Sequence, residues 1–176
     1  MIVIVGESAC GKTSVANYLA EHYGYKKIIT YTTRSPREGE QDGVDYYYVS
    51  NERFETLKIQ NFFAETAIYN NWNYGSARED YTQDSVIVLT PKGLRAIRNS
   101  GIKNIFSVYI HVPRRDRLIK CLNRGDDIEE AYRRSLSDVG QFDGIKDEVD
   151  LVVYNPSYTL DVMSIAGVIR EKYERI

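Results

Sequence analysis

The chain has 176 residues and a mass of 20.3 kDa, which fits one compact domain with room for a small insertion. Hydrophobic residues make up 43 % and charged residues 27 %, which excludes a disordered chain. A balance of 23 Lys+Arg against 25 Asp+Glu gives a net charge of -2 and excludes a general polyanion-binding surface. The two cysteines, Cys10 and Cys121, are too few and too distant for a disulfide framework or a structural zinc site; they fit a reducing, cytoplasmic setting.

Ile2-Val3-Ile4-Val5 is a continuous apolar run ending at Gly6, the pattern of a strand buried on both faces of a parallel sheet. The run is too short, and lacks the basic flank, for a signal peptide. No stretch approaches the ~20 apolar residues of a membrane span, so no membrane partner is expected. After a glycine-bearing loop, Val15, Tyr18 and Leu19 recur at helical spacing, which predicts a helix over 13–22 with Gly24 as its stop signal. Residues 26–30 read as a second short strand.

Residues 31 to about 82 differ in character. Pro36, Gly39 and Gly43 break a polar stretch, and Tyr46-Tyr47-Tyr48-Val49 reads as a strand. Ser50 is placed to cap a short helix carrying Phe54 and Leu57. Residues 62–69 and 71–75 read as two strands joined by an Asn-Asn turn. This stretch is expected to be an insertion, taken as 33–82, in a core formed by 1–32 and 83–176. In that core, strands at 86–89, 105–112 and 151–155 alternate with helices at 91–99, 113–122, the second half of 126–138, and 158–173. Such alternation predicts an α/β fold with a parallel sheet. The chain shows no internal repeat, and its 15 tyrosines read as half-buried rings with wet hydroxyls.

The most specific motif is Gly6-Glu7-Ser8-Ala9-Cys10-Gly11-Lys12-Thr13, which fits the G-x-x-x-x-G-K-[ST] phosphate loop between a strand and a helix. Glycines let backbone N–H groups wrap a phosphate, and the helix adds the positive end of its dipole. Lys12 can reach the β- and γ-phosphates of ATP, and the Thr13 hydroxyl can ligate Mg²⁺. Gly6, Ser8, Ala9, Cys10, Gly11, Lys12 and Thr13 are therefore candidate ATP contacts. Cys10 fills a small-residue slot and has no catalytic role.

A second motif, Thr32-Thr33-Arg34-Ser35-Pro36-Arg37-Glu38-Gly39-Glu40, runs into Gly43-Val44-Asp45-Tyr46. Arg34 and Arg37 around a proline form a fork suited to a second phosphate, with the Tyr46 hydroxyl beside it. Taken alone, such a pair would read as a solvated basic turn. Here it continues through Phe63-Ala64-Glu65 and Asn73-Tyr74-Gly75-Ser76, and the whole run resembles the nucleoside-monophosphate site of guanylate kinases. The resemblance covers most of the chain and is strongest over 6–76.

The resemblance implies a P-loop kinase fold with a nucleotide-binding insertion and a lid at about 123–138. It implies transfer of the ATP γ-phosphoryl group to GMP or dGMP with Mg²⁺. The expected partner is the small nucleotide substrate, with no nucleic-acid polymer given the near-neutral charge, and the expected state is a monomer or small homo-oligomer. Arg34, Arg37, Tyr46 and Tyr74 match the residues that hold the GMP phosphate. Glu65 matches the carboxylate that recognises guanine, and Thr30 and Ser76 match hydroxyl positions near the base. Arg124 matches a lid arginine that meets ATP and the transferring phosphoryl group; the second lies at Arg133 or Arg134, with Ser135 in the closest register. A salt-bridged helix is the competing reading for that pair.

The chain departs from the family at Val88 and Thr90, which stand where an Asp-x-Asp pattern is usual; Thr90 is still expected at the base edge. The stretch between Ser76 and Val86 is shorter than usual, and Cys121 replaces an arginine. Two other readings share these motifs. One is a kinase of the same fold with another nucleoside monophosphate or a ribose bisphosphate as acceptor. The other is a non-catalytic guanylate-kinase-like binding module, against which the intact Lys12 argues.

Overall fold

The computed structural model describes residues 1–37, 39–69 and 71–175. In chain order the elements are β1 (Ile2–Val5), α1 (Lys12–Tyr23), β2 (Lys26–Lys27), β3 (Tyr31–Thr32), β4 (Tyr47–Tyr48), α2 (Asn51–Ile59), β5 (Phe63–Tyr69) and β6 (Trp72–Ala77). They continue with β7 (Ser85–Val88), α3 (Pro91–Asn99), β8 (Phe106–His111), α4 (Arg114–Arg124), α5 (Ile128–Ser137), α6 (Ile145–Glu148), β9 (Leu151–Tyr154) and α7 (Val162–Tyr173).

The apolar run of β1 lies in the middle of a five-stranded parallel sheet of order β2-β7-β1-β8-β9. All four of its side chains are buried, because helices cover both faces. Ile2 and Ile4 join Val15 and Leu19 of α1 and Ile165 and Ile169 of α7. Val3 and Val5 join Leu94 and Ile97 of α3 and Ile145 of α6. Each such side chain contributes roughly 1.5–3 kcal/mol on burial. Thus one alternating strand feeds two cores. From β1 the chain goes to one side of the sheet for β2 and β7, and to the other for β8 and β9. The crevice beyond the carboxyl ends of β1 and β8 is therefore the switch point where open α/β sheets bind ligands, and the 6–13 loop opens there.

A second sheet, of order β4-β3-β6-β5, is mixed: β3 and β4 pair in parallel, and β6 runs antiparallel to both its neighbours. Phe54 and Leu57 of α2 pack on Phe63 of β5, the Phe54 and Phe63 rings stacking 4.7 Å apart. Ser50 caps α2 as expected, its hydroxyl accepting the Arg53 N–H at 3.1 Å. Pro91 opens α3.

Several boundaries differ from expectation. The strand expected over 26–30 stops at Lys27. Ile28 still donates its N–H to Val86 O, but the Thr30 carbonyl already accepts from Tyr47 in the other sheet, so 28–30 bridge the two. Tyr31 and Thr32 pair with both β4 and β6, so the second sheet begins two residues before the boundary drawn at 33. The tyrosine strand shrinks to Tyr47–Tyr48. In the Asn-Asn turn, Asn70 lies outside the described residues. The last helix starts at Val162, capped by Asp161, after a turn over Pro156–Tyr158. The four-residue α6 carries too little periodicity to be read from sequence.

Candidate functional site

The loop after β1 is built for close approach. A Cβ on Gly6 would stand 2.6 Å from Cys10 Sγ and from the Ile110 carbonyl, so only glycine fits. Gly11, at φ 92, caps α1 without a side chain, and the first N–H groups of the helix remain available to an anion. Lys12 Nζ folds back on the Glu7 carbonyl at 2.7 Å, and Thr13 is exposed on the first turn. Cys10 is fully buried, and burial raises its thiol pKa, which agrees with a packing role.

The loop is braced from behind. Tyr158 donates to the Ala9 carbonyl at 2.8 Å, and Arg117 donates to the Ser8 carbonyl at 3.1 Å. Asp138, at the end of α5, accepts the Ser8 N–H at 2.8 Å and pairs with Arg117 at 3.2 Å, both side chains being buried. Tyr69 of β5 reaches the same carboxylate at 3.4 Å. Asp138 therefore joins the loop, the region after β8 and the second sheet. Beside it lies a cavity of about 470 Å³ lined by Glu7, Tyr109, His111, Arg114 and Ser135 among others.

In the second sheet the arginine fork closes around a carboxylate. Arg34, 8 % exposed, makes two hydrogen bonds to Glu40, at 3.0 and 2.9 Å, and stands over the Tyr46 and Tyr48 rings. Tyr48 donates to Glu40 at 2.8 Å. Burial opposes ionisation of Glu40, but the Arg37 N–H, the Tyr48 hydroxyl and Arg34 together hold its pKa below the usual value. The Tyr46 and Tyr74 rings meet edge to face at 6.1 Å. Arg37 is half exposed; burial, then its neighbours Arg134 and Arg34, weaken its hold on its proton. Three cations thus lie close together, with Glu40 and Glu130 offsetting them among the described residues.

Glu65 on β5 is 5 % exposed and accepts from the Ser76 hydroxyl of β6 at 2.8 Å. Burial pushes its pKa up to about 7, against the pull of the Ser76 hydroxyl and N–H. Ser76 Oγ is also 2.5 Å from the Tyr81 hydroxyl. Thr30 is half-buried in the link between the sheets.

Four further positions singled out in the sequence have local partners in the free protein. Thr90 is the N-cap of α3, its Oγ1 accepting the Gly93 N–H at 3.1 Å, which leaves its proton and a second lone pair for another partner. Arg124 is exposed and paired with Asp126. Arg133 and Arg134 both bond Glu130, at 2.8 and 2.7 Å, as a salt-bridged helix would. Val88 is half-buried at the end of β7, and among the described residues no group of three His, Cys, Asp or Glu side chains could hold a metal ion. Sequence reasoning missed Glu40, Tyr48, Tyr81 and the Arg117–Asp138 pair. Only Glu40 and Tyr48 lay inside a motif already under scrutiny.

Comparison with known proteins agrees with this geometry. The guanylate kinase family model matches residues 1–171. The guanylate kinase of Alkalilimnicola ehrlichii is 31 % identical over 99 % of this chain and 91 % of that relative. That of Neisseria meningitidis serogroup A is 35 % identical over 78 % of this chain and 70 % of its own. The crystal structure of guanylate kinase from Anaplasma phagocytophilum shares the fold, with a TM-score of 0.74 at 22 % identity over 99 % of this chain and 84 % of that one. A family match over nearly the whole length, on a chain with an intact phosphate loop and arginine fork, leads to one conclusion: the chain belongs to the guanylate kinase family.

Proposed function

We propose that this protein transfers the γ-phosphoryl group of ATP to GMP or dGMP, giving ADP and GDP or dGDP. The observation that carries the reading is the crowding of Arg34, Arg37 and Arg134 in a chain whose phosphate loop is tied to the same region through Asp138. Two candidate anion sites linked through Asp138 suit a donor and an acceptor.

In this reading Lys12, the loop from Gly6 to Thr13 and Arg124 bind ATP. Arg34, Arg37, Tyr46 and Tyr74 grip the acceptor phosphate, displacing Glu40 and Glu130 from the arginines. Arg134 neutralises charge on the group in transfer. Catalysis is then positioning plus electrostatic stabilisation, with no covalent intermediate. The Thr13 hydroxyl fits Mg²⁺, an ion that keeps several waters and needs few protein oxygens; when bound, it supplies charge neutralisation at the donor phosphates. Guanine offers N1–H and N2–H side by side, and ionised Glu65 accepts both. Adenine has no N1–H and leaves the buried carboxylate badly paired, a difference of about 1–3 kcal/mol. Ser76, Thr30 and the edge at Thr90 complete the base site.

The test is ADP release by the purified protein with each common nucleoside and deoxynucleoside monophosphate, with Lys12→Ala as control. GMP and dGMP should be the best acceptors, and Lys12→Ala should remain folded but inactive. Preference for another acceptor, or wild-type turnover by Lys12→Ala, contradicts the reading.

A further inference from the structure

Tyr81 follows the short turn Arg78–Asp80 that succeeds β6, and its ring packs against the core beneath α3. Its hydroxyl stands 2.5 Å from Ser76 Oγ, which stands 2.8 Å from Glu65 Oε1. With Glu65 ionised, proton counting sets the polarity of this chain. An ionised carboxylate only accepts, so Ser76 directs its single proton to Glu65. The remaining contact can then be donated only by Tyr81.

We infer that Tyr81 is a positioning residue of the base site: its donation to Ser76 holds the Ser76 hydroxyl toward Glu65 and favours the ionised, acceptor-only carboxylate. The inference rests on the proposed role of Glu65 in reading a base that carries two adjacent N–H donors. The charged groups around this relay are few. Arg78 and Asp80 act on Tyr81 from the turn, and Glu65 itself acts from β5. On α3, which packs against β5, Arg95 and Arg98 are held by Glu148 and Asp150, and Lys92 is exposed. Without the Tyr81 proton, Ser76 is free to turn away, and the proton affinity of Glu65 rises.

The experiment compares KM for GMP between wild type and Tyr81→Phe from pH 5 to 9; ionisation of the substrate is common to both and cancels. Tyr81→Phe should move the acid-side rise in KM upward by roughly half to one pH unit, the scale of one neutral hydrogen bond. Its kcat at saturating GMP, its KM for ATP and its melting temperature should stay near wild type, because the ring is retained. Superimposable pH profiles, in an enzyme that still prefers GMP, overturn the role of Tyr81 and leave the Glu65 reading standing. A wild-type enzyme with no preference for GMP over AMP overturns both. A second measurement needs no variant: the Tyr81 hydroxyl proton resonance of the wild-type protein should shift as Glu65 titrates. A resonance unmoved through that titration also overturns the inference.

Discussion

The Arg37 guanidinium, in the loop between β3 and β4, approaches the Glu130 carboxylate of α5 at 3.6 Å, so an ion pair ties the arginine fork of the second sheet to α5. Glu130 also holds Arg133 and Arg134. The Arg133 hydrogen bond first, opposed by burial and then aided by Arg134, keeps its pKa at about 2, so the bridge stays charged across ordinary pH. An incoming phosphate must compete with this carboxylate for Arg37. Glu130→Gln removes the competitor, and an exposed pair of this kind is worth ~0.2–1 kcal/mol. The Kd for GMP, measured by calorimetry without ATP, should fall by up to about fivefold. A rise in Kd would mean that the contact with α5 helps acceptor binding instead of opposing it.

Arg37→Ala should raise KM for the monophosphate far more than KM for ATP. Loss of one charge-assisted contact is worth roughly 1.5–3 kcal/mol, about 10- to 150-fold. Arg34→Ala should do the same and also lower the melting temperature, because it leaves Glu40 without its buried cationic partner. Equal effects on both substrates would contradict the division between donor and acceptor sites.

Thr90→Asp places a carboxylate at the proposed base edge without uncapping α3, since aspartate is as good an N-cap as threonine. One carboxylate oxygen can keep the Gly93 N–H while the other faces the cleft. The melting temperature should be unchanged within a degree or two, and the Kd for GMP should fall. Weaker GMP binding with an unchanged melting temperature would show that the base does not approach this edge.

The raised pKa of Glu65 gives stability and ligand binding opposite pH dependences. Its folded-state value of about 7 exceeds the reference value of 4.5, so the folded protein holds the extra proton between these limits. Stability of the free protein should therefore fall as pH rises from about 4.5 to 7, insofar as Glu65 sets it. If Glu65 reads guanine as proposed, GMP binding should strengthen over the same range. Thermal melts of wild type and Glu65→Gln at pH 5 and 8 test this: the fall on going to pH 8 should shrink in the variant. An unchanged difference would show that Glu65 does not titrate in this window.

What the sequence disclosed follows from how locally each feature is encoded. The strand of Ile2 to Val5, the glycines of the loop, the cap at Ser50 and the first-turn Pro91 each depend on a few adjacent residues, and all are found in place. Glu65 and Ser76 could be singled out by spacing, but their hydrogen bond depends on β5–β6 register. Tyr81, Asp138 and Arg117 escaped because their partners lie on other elements, up to 130 residues away for Asp138 and Ser8. At Thr90 the local signal, a threonine before proline with glycine three residues on, is that of a helix cap, and the cap is in place.

The most direct measurement is the ratio of GMP to AMP turnover, at saturating ATP and Mg²⁺, in wild type and in Glu65→Gln. The amide presents a donor where guanine also donates, so the variant should lose most of the preference, a fall in the ratio of about 10- to 100-fold. Its turnover with AMP should change far less. An unchanged ratio would contradict a guanine site at Glu65, and the acceptor would then have to be recognised elsewhere in the cleft.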